Sequence, residues 1–133
     1  MRSGSNGGFT LIELMIVVII IAALAAMVAP RLIERTDEAK IRIAQGDVYS
    51  ISLALKLYRL DNDDYPPSDS GLEALMTRPA SASNWKGPYL EKKPIDPWGR
   101  PYKYHYPGVR NSSGFDVYSL GKDGVESGDD IFN

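Results

Sequence analysis

The sequence predicts an α+β fold: a long N-terminal helix, one half suited to a membrane and the other amphipathic, packed on a small head with a short antiparallel β-sheet and irregular loops. Three observations carry this. Leu14 to Ala29 is sixteen consecutive apolar residues, and with Phe9 to Ile12 it approaches the roughly 20 needed to cross a hydrocarbon core. Ile41, Ala44, Val48, Ile51, Leu55 and Tyr58 recur at spacings of three and four, which places them on one helical stripe. Farther on, Tyr102 to Tyr106 alternates in the manner of a strand, and Phe115 to Leu120 reads as a second. Residues 31 to 133 are about a hundred, enough for one modest core.

Composition narrows the partners. The formal net charge is −2. A nucleic-acid-binding surface needs a basic excess or stripe, so none is expected. There is no cysteine. A small head without disulfides requires another staple, such as a metal or neighbouring subunits.

The N-terminal stretch is Gly7-Gly8-Phe9-Thr10-Leu11-Ile12-Glu13-Leu14. Glu13 is a lone carboxylate at the start of an apolar segment, where an unpaired charge costs several kcal/mol. These residues resemble the leader of type IV pilins and type II secretion pseudopilins. That resemblance implies a cut between Gly8 and Phe9 by a prepilin peptidase and methylation of the new N-terminal Phe9. It implies a pairing of Glu13 with the cationic Phe9 amine of its own chain or a neighbour's. Such a pair near 4 Å is worth about 4 kcal/mol at an effective dielectric near 20, before desolvation is deducted.

The plainer alternative is a secretory signal peptide cleaved near Ala25 or Ala29; Glu13 and the length of the apolar run weigh against it. The positive-inside count, with Arg31, Arg35, Lys40 and Arg42 after the segment and Arg2 before it, favours a cytoplasmic head. The leader resemblance implies the opposite: a single-pass inner-membrane protein with its C-terminal head in the periplasm.

Taken in order, the chain divides into a cleaved leader at 1–8, a transmembrane and assembly helix at 9–30, and a head at 31–133 that includes an amphipathic helix at 31–60. Pro30 cannot donate a backbone hydrogen bond and marks a kink or boundary; the resemblance implies local melting before it in assembled filaments. Leu53, Leu57 and Leu60 are expected to widen the apolar stripe. Asp61 to Pro67 ends the helix, and Tyr65 and Pro66 stand where a calcium loop of EF-hand type needs a ligand and a glycine, so a solvated turn is expected. Ser70 to Met76 reads as a short helical turn with Leu72 and Leu75 inward.

Trp85 to Leu90 and Pro94 to Tyr102 are rich in aromatics and prolines, which predicts an ordered, irregular wrap over the helix, with packing favoured over a ligand groove. Tyr65-Pro66, Gly71-Leu72-Glu73-Ala74-Leu75, Trp85-Lys86-Gly87-Pro88-Tyr89-Leu90 and Asp96-Pro97-Trp98-Gly99-Arg100-Pro101-Tyr102 are similar to successive signatures of the major pseudopilins of type II secretion. The implied fold is type IV pilin-like.

His105 is the sole histidine. With no cysteine and no second histidine, a triad or zinc site is hard to assemble, so it reads as a structural strand residue. Gly121 to Asp130 combines glycines with carboxylates, the composition of either an acidic tail or a site for calcium, which takes six to eight oxygens. The pseudopilin resemblance favours calcium. It implies a backbone carbonyl from Leu120, a carboxylate from Asp123, a second from Asp129 or Asp130, and a further carbonyl from Ile131.

The function these readings imply is structural: a homopolymer forming a pseudopilus, handled by the peptidase, an inner-membrane assembly platform and minor pseudopilins. A type IV pilin or extracellular filament subunit is the near alternative, and a membrane-tethered calcium-dependent binding module is one of another class. No nucleophile–base pair or phosphate-binding loop supports an enzyme.

Overall fold

The computed structural model describes residues 7–133; most of the expected leader, including Arg2, lies outside them. Helix α1 runs from Leu11 to Asn62, 52 residues. It begins where Thr10 can cap it and ends at Asp63, whose φ of 67° takes the chain out of the right-handed region. Pro30 lies inside the helix rather than at a boundary. A proline removes one backbone donor, and the flanking turns carry the helix through it.

The chain falls into two compact units, one ending at Thr36 and one spanning Asp37–Asn133. In the first, the helix exposes its apolar residues on every side, from Leu11 to Ile33. An all-round apolar surface with no partner is that of a segment built for lipid or for other copies. It is long and apolar enough to cross a membrane.

The second unit holds the core. Ala44, Val48, Ile51, Ala54, Leu55 and Tyr58 form its helical side. The stripe is narrower than expected: Leu53, Leu57 and Leu60 are 50%, 45% and 79% exposed, and Ile41 is 41% exposed. Leu53 and Leu57 follow Ile51 and Leu55 by two positions, or about 200° around the helix, so they belong to the opposite face. The buried flank is instead widened by Ser52 and Ala54.

A 3₁₀ turn at Gly71–Leu75 places Ala74 and Leu75 in the core, with Leu72 packed against it. The acidic stretch at the end of α1 is engaged rather than merely solvated. Asp61 accepts from the Tyr89 hydroxyl at 2.7 Å, and Asp64 accepts from the Tyr106 hydroxyl at 2.5 Å. Trp85 donates its indole N–H to the Ala74 carbonyl at 2.8 Å, and the Trp85 and Tyr89 rings meet edge to face at 5.7 Å. The aromatics therefore pack, as expected, and their polar ends find partners.

Strands β1 (Lys103–His105), β2 (Asp116–Ser119) and β3 (Ile131–Phe132) form an antiparallel sheet in the order β1-β2-β3. Tyr104 faces Val117 across the first pair. The first two strands match the predicted hairpin; β3 is additional, since two residues are too few to show alternation. It pairs along the other edge of β2, where the Val117 amide donates to the Asn133 side chain at 2.8 Å. Tyr102 ties the segment leading into β1 to α1 through Asp47, at 2.8 Å. On the sheet, Phe132 stacks on Tyr118 at 4.5 Å, and Tyr118 stacks on His105 at 6.0 Å. The Arg110 guanidinium caps Phe132 at 3.6 Å.

Candidate functional site

The N-terminal determinants precede and open α1. Gly8 and Phe9 lie outside the helix and are exposed, so the bond between them is not locked into helical hydrogen bonding. Glu13, a lone carboxylate in the sequence, has local partners. Its Oε2 accepts from the Thr10 amide at 2.8 Å and the Thr10 hydroxyl at 2.9 Å, while the Glu13 amide donates back to Thr10 Oγ1 at 3.3 Å. This is a capping box, in which two helix-end donors are satisfied reciprocally. The Thr-x-x-Glu spacing was legible in the sequence, and it supplies Glu13 with a local partner before any charge arrives from a cleaved Phe9.

The C-terminal determinants lie between β2 and β3. Carboxylate oxygens of Asp123, Asp129 and Asp130 come within 4.8 Å of one another, so both candidates for the second carboxylate join Asp123. Asp123 and Asp129 are exposed. One oxygen of Asp130 is buried and has no hydrogen-bond partner.

The Ser127 hydroxyl reaches Asp123 Oδ2 at 2.8 Å and also Asp129 Oδ1. A hydroxyl has one proton, so it cannot donate to both at once. Its hydrogen bond holds the Asp129 carboxyl below its usual range. The Leu120 carbonyl accepts only a long bond, 3.3 Å, from the Gly124 amide, and it retains a second lone pair. Ile131 is the first residue of β3 rather than part of the loop.

Two glycines permit this path. Gly121 has φ +63°, and a Cβ there would meet the Asp129 carbonyl at 2.9 Å. Gly124 has φ +75°, and a Cβ there would meet the Arg100 guanidinium carbon at 2.7 Å.

The loop has anchors that the sequence reading did not single out. Asp96 is buried; it accepts from the Trp98 amide at 3.0 Å, the Arg100 amide at 2.8 Å and the Ser119 hydroxyl at 2.6 Å. Ser119 in turn accepts from the Gly121 amide at 3.1 Å. Arg100 Nη2 donates to the carbonyls of Gly121 at 2.5 Å and Lys122 at 3.2 Å. Lys122 forms an ion pair with Asp37 of α1 at 2.6 Å. Asp96 followed by Pro-Trp-Gly is a visible turn signal; Ser127 and Arg100 carry no such signal, because their partners are distant in sequence or depend on loop geometry.

His105 lies in β1 with Nε2 at 3.3 Å from the Tyr118 hydroxyl. That hydroxyl donates to Glu126 at 2.8 Å. Burial, with help from Glu126, pushes the Tyr118 phenol up to about 12.

Comparison with known proteins joins the two ends of the chain. Residues 4–29 match the prokaryotic N-terminal methylation motif, and residues 31–132 match the type II secretion system protein G family. The type II secretion system core protein G of Pseudomonas aeruginosa is 48% identical over 134 residues, covering 98% of this chain and 93% of that protein. The core protein G of Vibrio cholerae is 42% identical over 125 residues, covering 92% and 84%. The crystal structure of the major pseudopilin from the type 2 secretion system of enterohaemorrhagic Escherichia coli aligns with TM-score 0.69 and 34% identity, covering 77% of this chain and 88% of that one. A pilin-like helix and three-stranded head, a methylation-type N-terminus and a family match over the whole head lead to one conclusion: the chain belongs to the type II secretion system protein G family, the major pseudopilins.

Proposed function

We infer that this chain is the structural subunit of a pseudopilus for type II secretion, a polymer of its own copies and not an enzyme. The observation that carries the reading is the Leu14–Ala29 stretch of α1, which is apolar on every side and exposed throughout, with the carboxylate of Glu13 just before it. In the membrane lipid covers that surface; in a filament other copies cover it. Head-to-tail contacts that do not close generate an open helical polymer.

In this reading a prepilin peptidase cuts between Gly8 and Phe9, and Phe9 is then methylated. The protein spans the inner membrane once, with its head in the periplasm, and an assembly platform and minor pseudopilins start and drive the filament. The cationic Phe9 amine supplies the charge that Glu13 pairs with, in competition with Thr10. Pro30 serves assembly as a site where the helix yields easily. Glu13→Ala should insert and be processed but fail to assemble: processed subunit persists in membranes while the sheared filament fraction falls at least tenfold. Normal filaments from that variant would remove the assigned role of Glu13.

Calcium belongs to the same reading. The all-oxygen donor set suits a hard cation: Asp123 and Asp129 compete for one Ser127 proton and a buried Asp130 oxygen has no partner, so the three carboxylates call for positive charge. Asp123, Asp129 and Asp130 would hold the ion with the carbonyls of Leu120 and Ile131. The ion would supply charge neutralisation and closure of the loop onto the sheet, in place of a disulfide.

A further inference from the structure

Arg100 stands beneath the C-terminal loop in a way that its neighbours in sequence do not. The turn from which it projects is closed on itself: the Asp96 amide donates to the Arg100 carbonyl at 2.7 Å, and the Gly99 amide to the Asp96 carbonyl at 2.9 Å. The buried Asp96 carboxylate fastens this turn to the end of β2 through Ser119, and Ser119 is fully buried. The root of the guanidinium is therefore fixed to the strand from which the loop departs.

Its far end meets that loop. One nitrogen, Nη2, bonds two successive carbonyls, Gly121 and Lys122, which lie between the Leu120 carbonyl and the Asp123 carboxylate. Gly124 lies directly against the guanidinium, with no room for a Cβ. Residues 120–124 thus pass around a cation anchored elsewhere in the fold.

We propose that Arg100 is the positioning residue of the calcium loop, holding the Gly121 and Lys122 carbonyls so that Leu120 and Asp123 are presented together to the ion. The inference rests on the calcium reading above. A positive charge near a cation site also repels the ion, so two effects of opposite sign compete. Outer-shell partners that orient ligands are commonly worth ten- to a hundredfold in metal affinity, and here the guanidinium charge is already engaged by two carbonyl dipoles. Orientation therefore outweighs repulsion. Because both bonds leave a single nitrogen, an ammonium can replace them.

The test is calcium titration by calorimetry on the full chain in detergent micelles, comparing wild type, Arg100→Gln and Arg100→Lys. Hydrogen exchange at residues 121–124 and in β2 is followed in parallel without metal. The expected result is calcium binding by wild type, weakened about tenfold or more in Arg100→Gln and within about threefold of wild type in Arg100→Lys. Exchange at 121–124 quickens in Arg100→Gln while β2 stays protected. Unchanged or tighter binding by Arg100→Gln would overturn the proposal, as would equal weakening in both variants with loss of β2 protection, which would make Arg100 a fold residue only. Absence of calcium binding by wild type would overturn the calcium reading itself and this inference with it, by an arm separate from the variants.

Discussion

Asp96 shows how a single residue decides local order. Its carboxylate collects three donors from two segments, and removal of a buried acceptor leaves those donors without partners at about 1–3 kcal/mol each when not rehydrated. Asp96→Ala is expected to lower head stability by about 3 kcal/mol. Asp96→Asn, which retains one acceptor and can turn its amide toward the Ser119 oxygen, should cost about half that. Denaturant unfolding of the two variants checks the ranking; equal losses would mean that the charge, and not the number of acceptors, matters. At Glu13, Thr10 already supplies two donors to one carboxylate oxygen.

Among the elements, α1 is the informative one, for it carries two apolar stripes with different uses. Ala44, Val48, Ile51, Leu55 and Tyr58 face the core, whereas Leu53, Leu57 and Leu60 face away. Both sets have helical spacing and lie on opposite faces of the helix, and the sheet's placement on one side decides which of them is buried. Leu55→Ala should destabilise the head by about 3 kcal/mol through transfer and cavity costs, while Leu57→Ala should stay within about 0.5 kcal/mol. Thermal or denaturant unfolding of the subunit in micelles measures both. A large loss from Leu57→Ala would show that its face is covered in the isolated subunit. The small sheet makes a related point: β3 has two residues, yet it turns β2 into a central strand buried along its whole length.

At the scale of the whole molecule, the two ends of the chain have separate tasks. Among the described residues of the N-terminal unit, the apolar Leu14–Ala29 stretch is exposed along its whole length, so its stability must come from lipid or from other copies. The second unit has its own core but no disulfide, and its last loop gathers three carboxylates. If calcium occupies that loop, binding stabilises the folded head by an amount that grows with ion concentration, about 2.7 kcal/mol at a hundred times the dissociation constant. Melting of the full chain should shift upward by several degrees with millimolar calcium and return with a chelator. Identical melting temperatures would remove the calcium claim and leave the pseudopilin assignment standing.

The apolar N-terminal segment, the Thr10–Glu13 spacing, the helical stripe, the hairpin and the acidic loop were all readable from residue order, because each depends on neighbours within a few positions. Composition also excluded disulfides and disfavoured a nucleic-acid surface. The course of α1 through Pro30, the choice of which apolar stripe of the helix is buried, the addition of β3, and the grip of Arg100 on the Gly121 and Lys122 carbonyls were not readable. Each of the last three joins or separates positions according to where a distant segment packs, and the first depends on the turns that flank the proline. No local pattern carries that information; it exists once the sheet has chosen one side of the helix.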